Sequence, residues 1–237
     1  MNKKEKKELA KLVTTELEKM YPQATCALEY RGDPWKLMVM ARLSAQCTDK
    51  RVNEVCEILF SQYPSAKSLS EANIEDVEKI VKPCGLYRRK ASDIIDESVK
   101  LCSEFDGILP SDIDTLLTFP GVGRKIANLL IGDIYGQPAI VTDTHFIRIC
   151  GRLGLYPEEE KNPHKIEKIT KELIEPTRQS DFCHRIVMFG RDVCFARAPR
   201  CGECPIGKTG FCSHAEKAKK TKKAERPKNK NKNRKQD

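Results

Sequence analysis

Apolar residues return along most of this chain at intervals of three and four. Leu9, Leu12, Val13, Leu17 and Met20 form the first such stripe, the mark of a helix with one face turned to a core. Similar stripes run over about 35–44, 50–62, 74–81, 90–104, 112–119, 124–135, 144–153, 163–174 and 180–191. Turn formers separate them: GDP at 32–34, PCG at 83–85, PGVG at 120–123 and GQP at 136–138. Asn73 with Asp76, and Ser111 with Asp114, carry side chains suited to cap helix N-termini. No stretch alternates apolar and polar residues long enough to mark a half-buried strand. The pattern predicts an all-α protein of about ten helices.

Charge changes that picture at one end. The net charge of +9 is concentrated in residues 215–237, where eleven Lys/Arg stand against three Asp/Glu. The rest is nearly balanced, so the basic character is that of a low-complexity tail, expected to be disordered and suited to a polyanion. No apolar run approaches the roughly 20 residues of a membrane span. The start, MNKKEKKELAKL, lacks the apolar core of a secretory signal. Eleven cysteines without such a signal point to a reducing, cytoplasmic setting and not to a disulfide framework. Seven of them (Cys26, Cys47, Cys56, Cys84, Cys102, Cys150, Cys183) are scattered and are expected to act as small buried hydrophobes.

The most informative stretch is IDTLLTFPGVGRKIANLLIGDIY, residues 113–135. Two helical stripes flank Pro120-Gly121-Val122-Gly123. Paired glycines permit positive φ and close backbone approach, leaving N–H groups beside a helix N-terminus where a phosphate can sit. Val122 is expected to plug the space between the helices. An ordinary helical-hairpin turn is the plain alternative. PGVG followed by Arg124 and Lys125 is more specific and points to DNA phosphates.

FPGVGRKIA, followed eighteen residues after its lysine by the aspartate of VTDTH, closely resembles the endonuclease III family of helix–hairpin–helix DNA glycosylases. LSAQCTD at 43–49, GLYRRKA at 85–91 and a cysteine cluster at 194–212 extend the resemblance over about residues 9–214. It implies that Lys125 is the nucleophile and Asp143 the catalytic carboxylate. A neutral amine can attack the anomeric carbon, expel the base and form a Schiff base, which permits β-elimination of the 3′ phosphate. Free lysine titrates near 10.4, so a cleft must help to disfavour the ammonium. Asp143 is expected at a helix start, across the pocket and not in a tight ion pair with Lys125. From there it would stabilise positive charge developing on the sugar. Position 142 is Thr where the family has an apolar residue.

A base inside a duplex must be flipped out to reach such a pocket. The resemblance places Gln46 and Leu86 at gap-filling positions, an amide for the orphaned partner base and an apolar wedge. His145 is a further candidate phosphate contact.

Cys194, Cys201, Cys204 and Cys212 form C-x6-C-x2-C-x7-C, a strong metal signal. A four-cysteine zinc site is one reading. A single CxxC in one wrapping loop suits a 4Fe–4S cluster, which the family also carries. The last interval is seven residues where the family usually has five. Arg197 and Arg200, between the first two cysteines, are expected to meet backbone phosphates.

The resemblance thus implies two helical domains. Residues 27–137 would form a six-helix unit with the hairpin. The N-terminal helix, 1–26, would join 138–214 around the iron–sulfur cluster, with the active site in the cleft and 215–237 as the tail. It implies a monomeric bifunctional glycosylase and abasic-site lyase for oxidised pyrimidines in damaged double-stranded DNA. The rivals are a monofunctional adenine-mismatch-type glycosylase, which typically lacks the lysine, and a non-catalytic or zinc-stabilised DNA-binding module.

Overall fold

The computed structural model describes residues 1–212 and 214–216, and every regular element within them is helical. The order is α1 (Lys3–Met20), α2 (Pro34–Leu43), α3 (Asp49–Gln62), α4 (Ala66–Ser70), α5 (Ile74–Val81), α6 (Tyr87–Phe105), α7 (Ile113–Leu116), α8 (Arg124–Asp133), α9 (Thr144–Leu153), α10 (Pro163–Lys171), α11 (Gln179–Asp192) and α12 (Pro205–Lys208). Single 3₁₀ turns occupy Lys82–Cys84 and Pro176–Arg178.

Local chemistry sets most of these boundaries. Asn2 and Glu5 close a capping box on α1, and Asp33, Thr48 and Asn162 cap α2, α3 and α10. Asn73 caps α5 as expected, although its side chain takes the amide of Glu75. The cap of α7 is Asp112 and not Ser111: its two carboxylate oxygens accept from Asp114 N and Thr115 N. That helix is also shorter than its apolar stripe. After Leu117 the bonds tighten to three-residue spacing, Thr118 N to Thr115 O and Phe119 N to Leu116 O, and this turns the chain into the hairpin.

The apolar stripes are gathered into two cores. One is built from residues between Leu28 and Ala139, with Trp35, Met38, Leu59, Ile94, Leu116 and Leu130 at its centre. The other joins α1 (Leu9, Val13, Leu17) to residues from Ile140 onwards, including Phe146, Phe182 and Ile206. Each fully buried Leu, Ile or Phe contributes about 1.5–3 kcal/mol. Ala215, at 1% exposure, belongs to the second core. The folded chain therefore continues past the expected start of the tail at 215. Residues 217–237 lie outside the described residues. Four of the seven scattered cysteines, Cys56, Cys84, Cys150 and Cys183, are buried, and Cys26, Cys47 and Cys102 are half-buried.

Polar bridges join the two cores. Asp133 at the end of α8 accepts from Ser180 Oγ (3.0 Å) and lies 2.8 Å from His184 Nε2, both on α11. Gly132 makes this approach possible, since a Cβ there would come within 2.6 Å of Ser180 Oγ. Arg191 of α11 pairs with Asp49 of α3, and Arg124 of α8 pairs with Glu167 of α10. Among the described residues no helix is long and apolar enough to cross a membrane.

Candidate active site

The hairpin is held by its first glycine. Gly121 has φ +71°, and a Cβ there would lie 2.7 Å from Arg42 Nε and 2.8 Å from Arg42 Cδ. Arg42 cannot give way easily, because Asp93 accepts from its Nε at 2.6 Å. Asp93, with its side chain 3% exposed, is bridged again by Arg89. Gly123 differs from the expected pattern of paired positive-φ glycines: it is extended, at φ −91° and ψ 174°. Its smallness serves another end. No side chain caps α8, and nothing lies within 4 Å of a Cβ built on Gly123, so the helix N-terminus is open to an anion. Val122 points inward, 5% exposed, and plugs the first core.

Lys125 sits in the first turn of α8 and is exposed. The desolvation expected at this position is therefore absent from the DNA-free chain. Arg124, its neighbour, is committed elsewhere. Its Nε and Nη2 donate to Glu167 at 2.6 and 3.0 Å, and Lys171 Nζ lies 3.1 Å from the same carboxylate. A phosphate reaching Arg124 would meet a guanidinium already paired with a buried acid. Burial alone would push the Glu167 carboxyl up. The bonds from Arg124 and Lys171 outweigh it and hold the group below its ordinary value. A carboxyl depressed in the folded state stabilises above its unfolded pKa, about 4.3, and loses that contribution as pH falls through the folded value. Glu167→Gln should therefore lower Tm at pH 7 by about 2–6 °C, with the deficit narrowing as the pH is taken below about 4. Thermal melts of both proteins from pH 7 to 3.5 measure this; a deficit independent of pH would refute the linkage.

Asp143 is the N-cap of α9, half-buried, its Oδ1 accepting from Phe146 N at 2.7 Å. Among the described residues no ion pair joins it to Lys125. The two residues stand at the starts of α8 and α9, and α11 packs against both helices. His145 is half-buried, with Nδ1 3.2 Å from Arg148 Nη2, and Gly190 of α11 makes room for its ring. Desolvation lowers its pKa, with the nearby Asp143 carboxylate opposing the shift.

Gln46 and Leu86 share an unexpected feature. Both are non-glycine residues in the left-handed region, at φ +55° and +49°, and both are exposed, Leu86 by 62%. This conformation costs an L-residue roughly 1–2 kcal/mol. Arg31, Asp106 and Ala198 share this conformation, so it does not by itself mark a site.

The four cysteines line one small cavity together with Arg152, Phe189 and Ala215. Two sulfurs accept hydrogen bonds, Cys194 from Arg152 Nη1 at 3.6 Å and Cys204 from Gly207 N at 3.3 Å. Among the described residues, no group of three or more His, Cys, Asp or Glu side chains is arranged to hold a single metal ion. Two arginines of α9 that sequence reading missed shape this loop. Arg152 donates to the carbonyls of Phe195 and Ala196 at 2.7 and 2.8 Å, and Arg148 to that of Cys194 at 3.0 Å. Arg197 and Arg200 project from it, exposed, with Arg200 stacked 5.3 Å from the Phe195 ring.

This arrangement has known counterparts. The family model for HhH-GPD superfamily base excision DNA repair proteins matches residues 39–176. The endonuclease III of Synechocystis is 42% identical over 202 residues, covering 85% of this chain and 91% of that protein. A solved structure of a non-covalent endonuclease III–DNA complex aligns with a TM-score of 0.84 at 35% identity, covering 90% of this chain and 98% of that one. A trapped endonuclease III–DNA covalent intermediate, an estranged-adenine complex, aligns with the same values. With a shared fold and more than a third of its residues in common across nearly the whole of these proteins, the chain belongs to the endonuclease III family of HhH-GPD base-excision DNA repair proteins.

Proposed function

We propose that this chain is a bifunctional DNA glycosylase and abasic-site lyase that removes oxidised pyrimidines from duplex DNA, with Lys125 as nucleophile and Asp143 as its carboxylate partner. The observation that carries this reading is Lys125 itself, an exposed amine in the first turn of α8 directly after the hairpin. It stands on a chain that aligns with a trapped endonuclease III–DNA covalent intermediate.

The duplex would dock with its phosphates at the open N-terminus of α8, near Gly121 and Gly123. Gln46 and Leu86 would fill the space left by the flipped base. Docked DNA would then remove water from around Lys125, the condition missing in the free chain. The Lys125 Nζ lone pair attacks C1′ of the sugar as the C1′–N bond to the base breaks, while Asp143 stabilises the positive charge that develops on the sugar. Opening of the sugar ring gives an imine. Loss of a C2′ proton expels the 3′ phosphate, and water frees the lysine. The two cores support a division into a hairpin domain, about 27–137, and a second domain joining α1 to the residues from about 138. A cytoplasmic location suits this role.

Incubating the protein with a duplex bearing an oxidised pyrimidine under borohydride should give a covalent protein–DNA adduct. Its absence, with intact substrate, would overturn the reading.

Cys194, Cys201, Cys204 and Cys212 would hold a 4Fe–4S cluster. Their shared cavity, the N–H···S bonds and the single CxxC within one wrapping loop suit that group. Bound there, it would supply structure, fixing the loop that presents Arg197 and Arg200. The purified protein should contain about four irons per chain and no stoichiometric zinc. Cys212→Ser should lose most of its iron and its visible absorbance. A variant with full iron content would mean that Cys212 is not the fourth ligand.

A further inference from the structure

Lys90 lies in the first turn of α6 and is 0% exposed. Its ammonium is answered by carbonyls and not by a carboxylate. Nζ donates to Leu43 O at 2.8 Å, Ala45 O at 2.7 Å and Cys84 O at 2.8 Å, which uses all three of its protons. These acceptors belong to two separate segments. Leu43 and Ala45 lie at the end of α2 and in the loop after it; Cys84 closes the 3₁₀ turn before α6. The Ala45 carbonyl is part of the peptide that ends at Gln46 N, so fixing it fixes the plane from which Gln46 turns left-handed. On the other side, Lys90 N donates to Leu86 O at 3.1 Å. That last bond is the first turn of α6 itself; the side chain holds both segments, next to Gln46 at Ala45 and two residues before Leu86 at Cys84.

We propose that Lys90 is a positioning residue for lesion recognition, locking the Gln46 loop and the Leu86 turn into one rigid wedge that enters the space left by the flipped base. This rests on the reading of Gln46 and Leu86 as gap-filling residues. Each segment presents one exposed non-glycine residue with a left-handed backbone, Gln46 or Leu86. A wedge ordered before it meets DNA need not be ordered during base extrusion, so the lock should act on duplex lesions. It should not act on the lyase step at a sugar that is already unstacked.

The test compares Lys90→Arg and Lys90→Met with the parent on two substrates. The first is a duplex bearing thymine glycol; the second is a single-stranded oligonucleotide with a preformed abasic site. Arg keeps the charge, but its planar fork cannot follow three convergent carbonyls; Met keeps the chain length and no donors. A folded variant, judged by its melting curve, should lose about 10–100-fold in single-turnover base release from the duplex. Cleavage of the single strand should change by less than about threefold, a split that a general loss of structure would not produce. Adding Leu86→Ala to Lys90→Arg should cause little further loss, since both act through one wedge. Equal losses on both substrates, or fully additive losses, overturn the proposal. So does failure of both variants to fold, which would make Lys90 a core residue only. Gln46→Ala and Leu86→Ala run alongside: if they match the parent on the duplex, the gap-filling reading itself fails, whatever Lys90 does.

Discussion

Lys125→Gln should abolish borohydride-trapped adducts and slow cleavage at an oxidised pyrimidine by at least about 10³-fold, or ~4 kcal/mol of transition-state stabilisation. The amide nitrogen of Gln has its lone pair delocalised into the carbonyl and cannot form the imine. Neither the glycosylase step nor the elimination that depends on it can then proceed by this route. Folding should be untouched. Lys125 is exposed and makes no ion pair among the described residues, and changes at such sites usually stay within about 0.5 kcal/mol. Binding of lesion duplex should stay within about tenfold of the parent, because one cation among several phosphate contacts is removed. The measurement is a trapping gel with a titration of bound duplex on the same preparation. Normal trapping by the variant would assign the nucleophile to another amine. Loss of trapping together with loss of binding would mean that Lys125 serves docking and not chemistry.

How much of this was legible beforehand depended on the range of the interactions. The apolar stripes mark α1, α3, α5, α6 and α9 because each spans several turns, so the periodicity has room to show. α4 and α12, at five and four residues, hold too little of a period to be seen. The place of Val122 could be read because its neighbours dictate it. The geometry of Gly123 could not, since an extended glycine and a left-handed one look alike in sequence. The largest gaps concern pairs far apart in the chain. Lys90, within RRK, has the look of a surface charge, yet its partners lie up to 47 residues away and bury it completely. Arg124 has the look of a free phosphate contact until Glu167, 43 residues on, is seen to hold it. The strain at Gln46 and Leu86 is likewise invisible until the chain is folded. Resemblance alone points to these two positions; their left-handed backbone is shared with Arg31, Asp106 and Ala198 and does not single them out.

Asp143→Asn should separate the two roles this aspartate can have. Its carboxylate caps α9 through the 2.7 Å bond from Phe146 N. An Asn at an N-cap presents its amide oxygen to the same N–H and is about as good a cap as Asp. The melting temperature of the Asn variant should therefore stay close to that of the parent. Asp143→Ala loses the cap, about 1 kcal/mol, and should melt about 2–4 °C lower. Charge behaves differently from capping. If the carboxylate stabilises the cationic sugar or assists proton transfer, neither Asn nor Ala can replace it. Single-turnover base release should then fall by about 10²–10⁴ in both variants. Lys125 is intact in each, so trapping on a preformed abasic site should persist. The deciding comparison is thus between two variants of unequal stability and equal electrostatic loss. Matching slow rates would place the charge of Asp143 in the reaction. An Asn variant as fast as the parent, beside a slow Ala variant, would reduce Asp143 to a helix cap whose loss disturbs the site through α9.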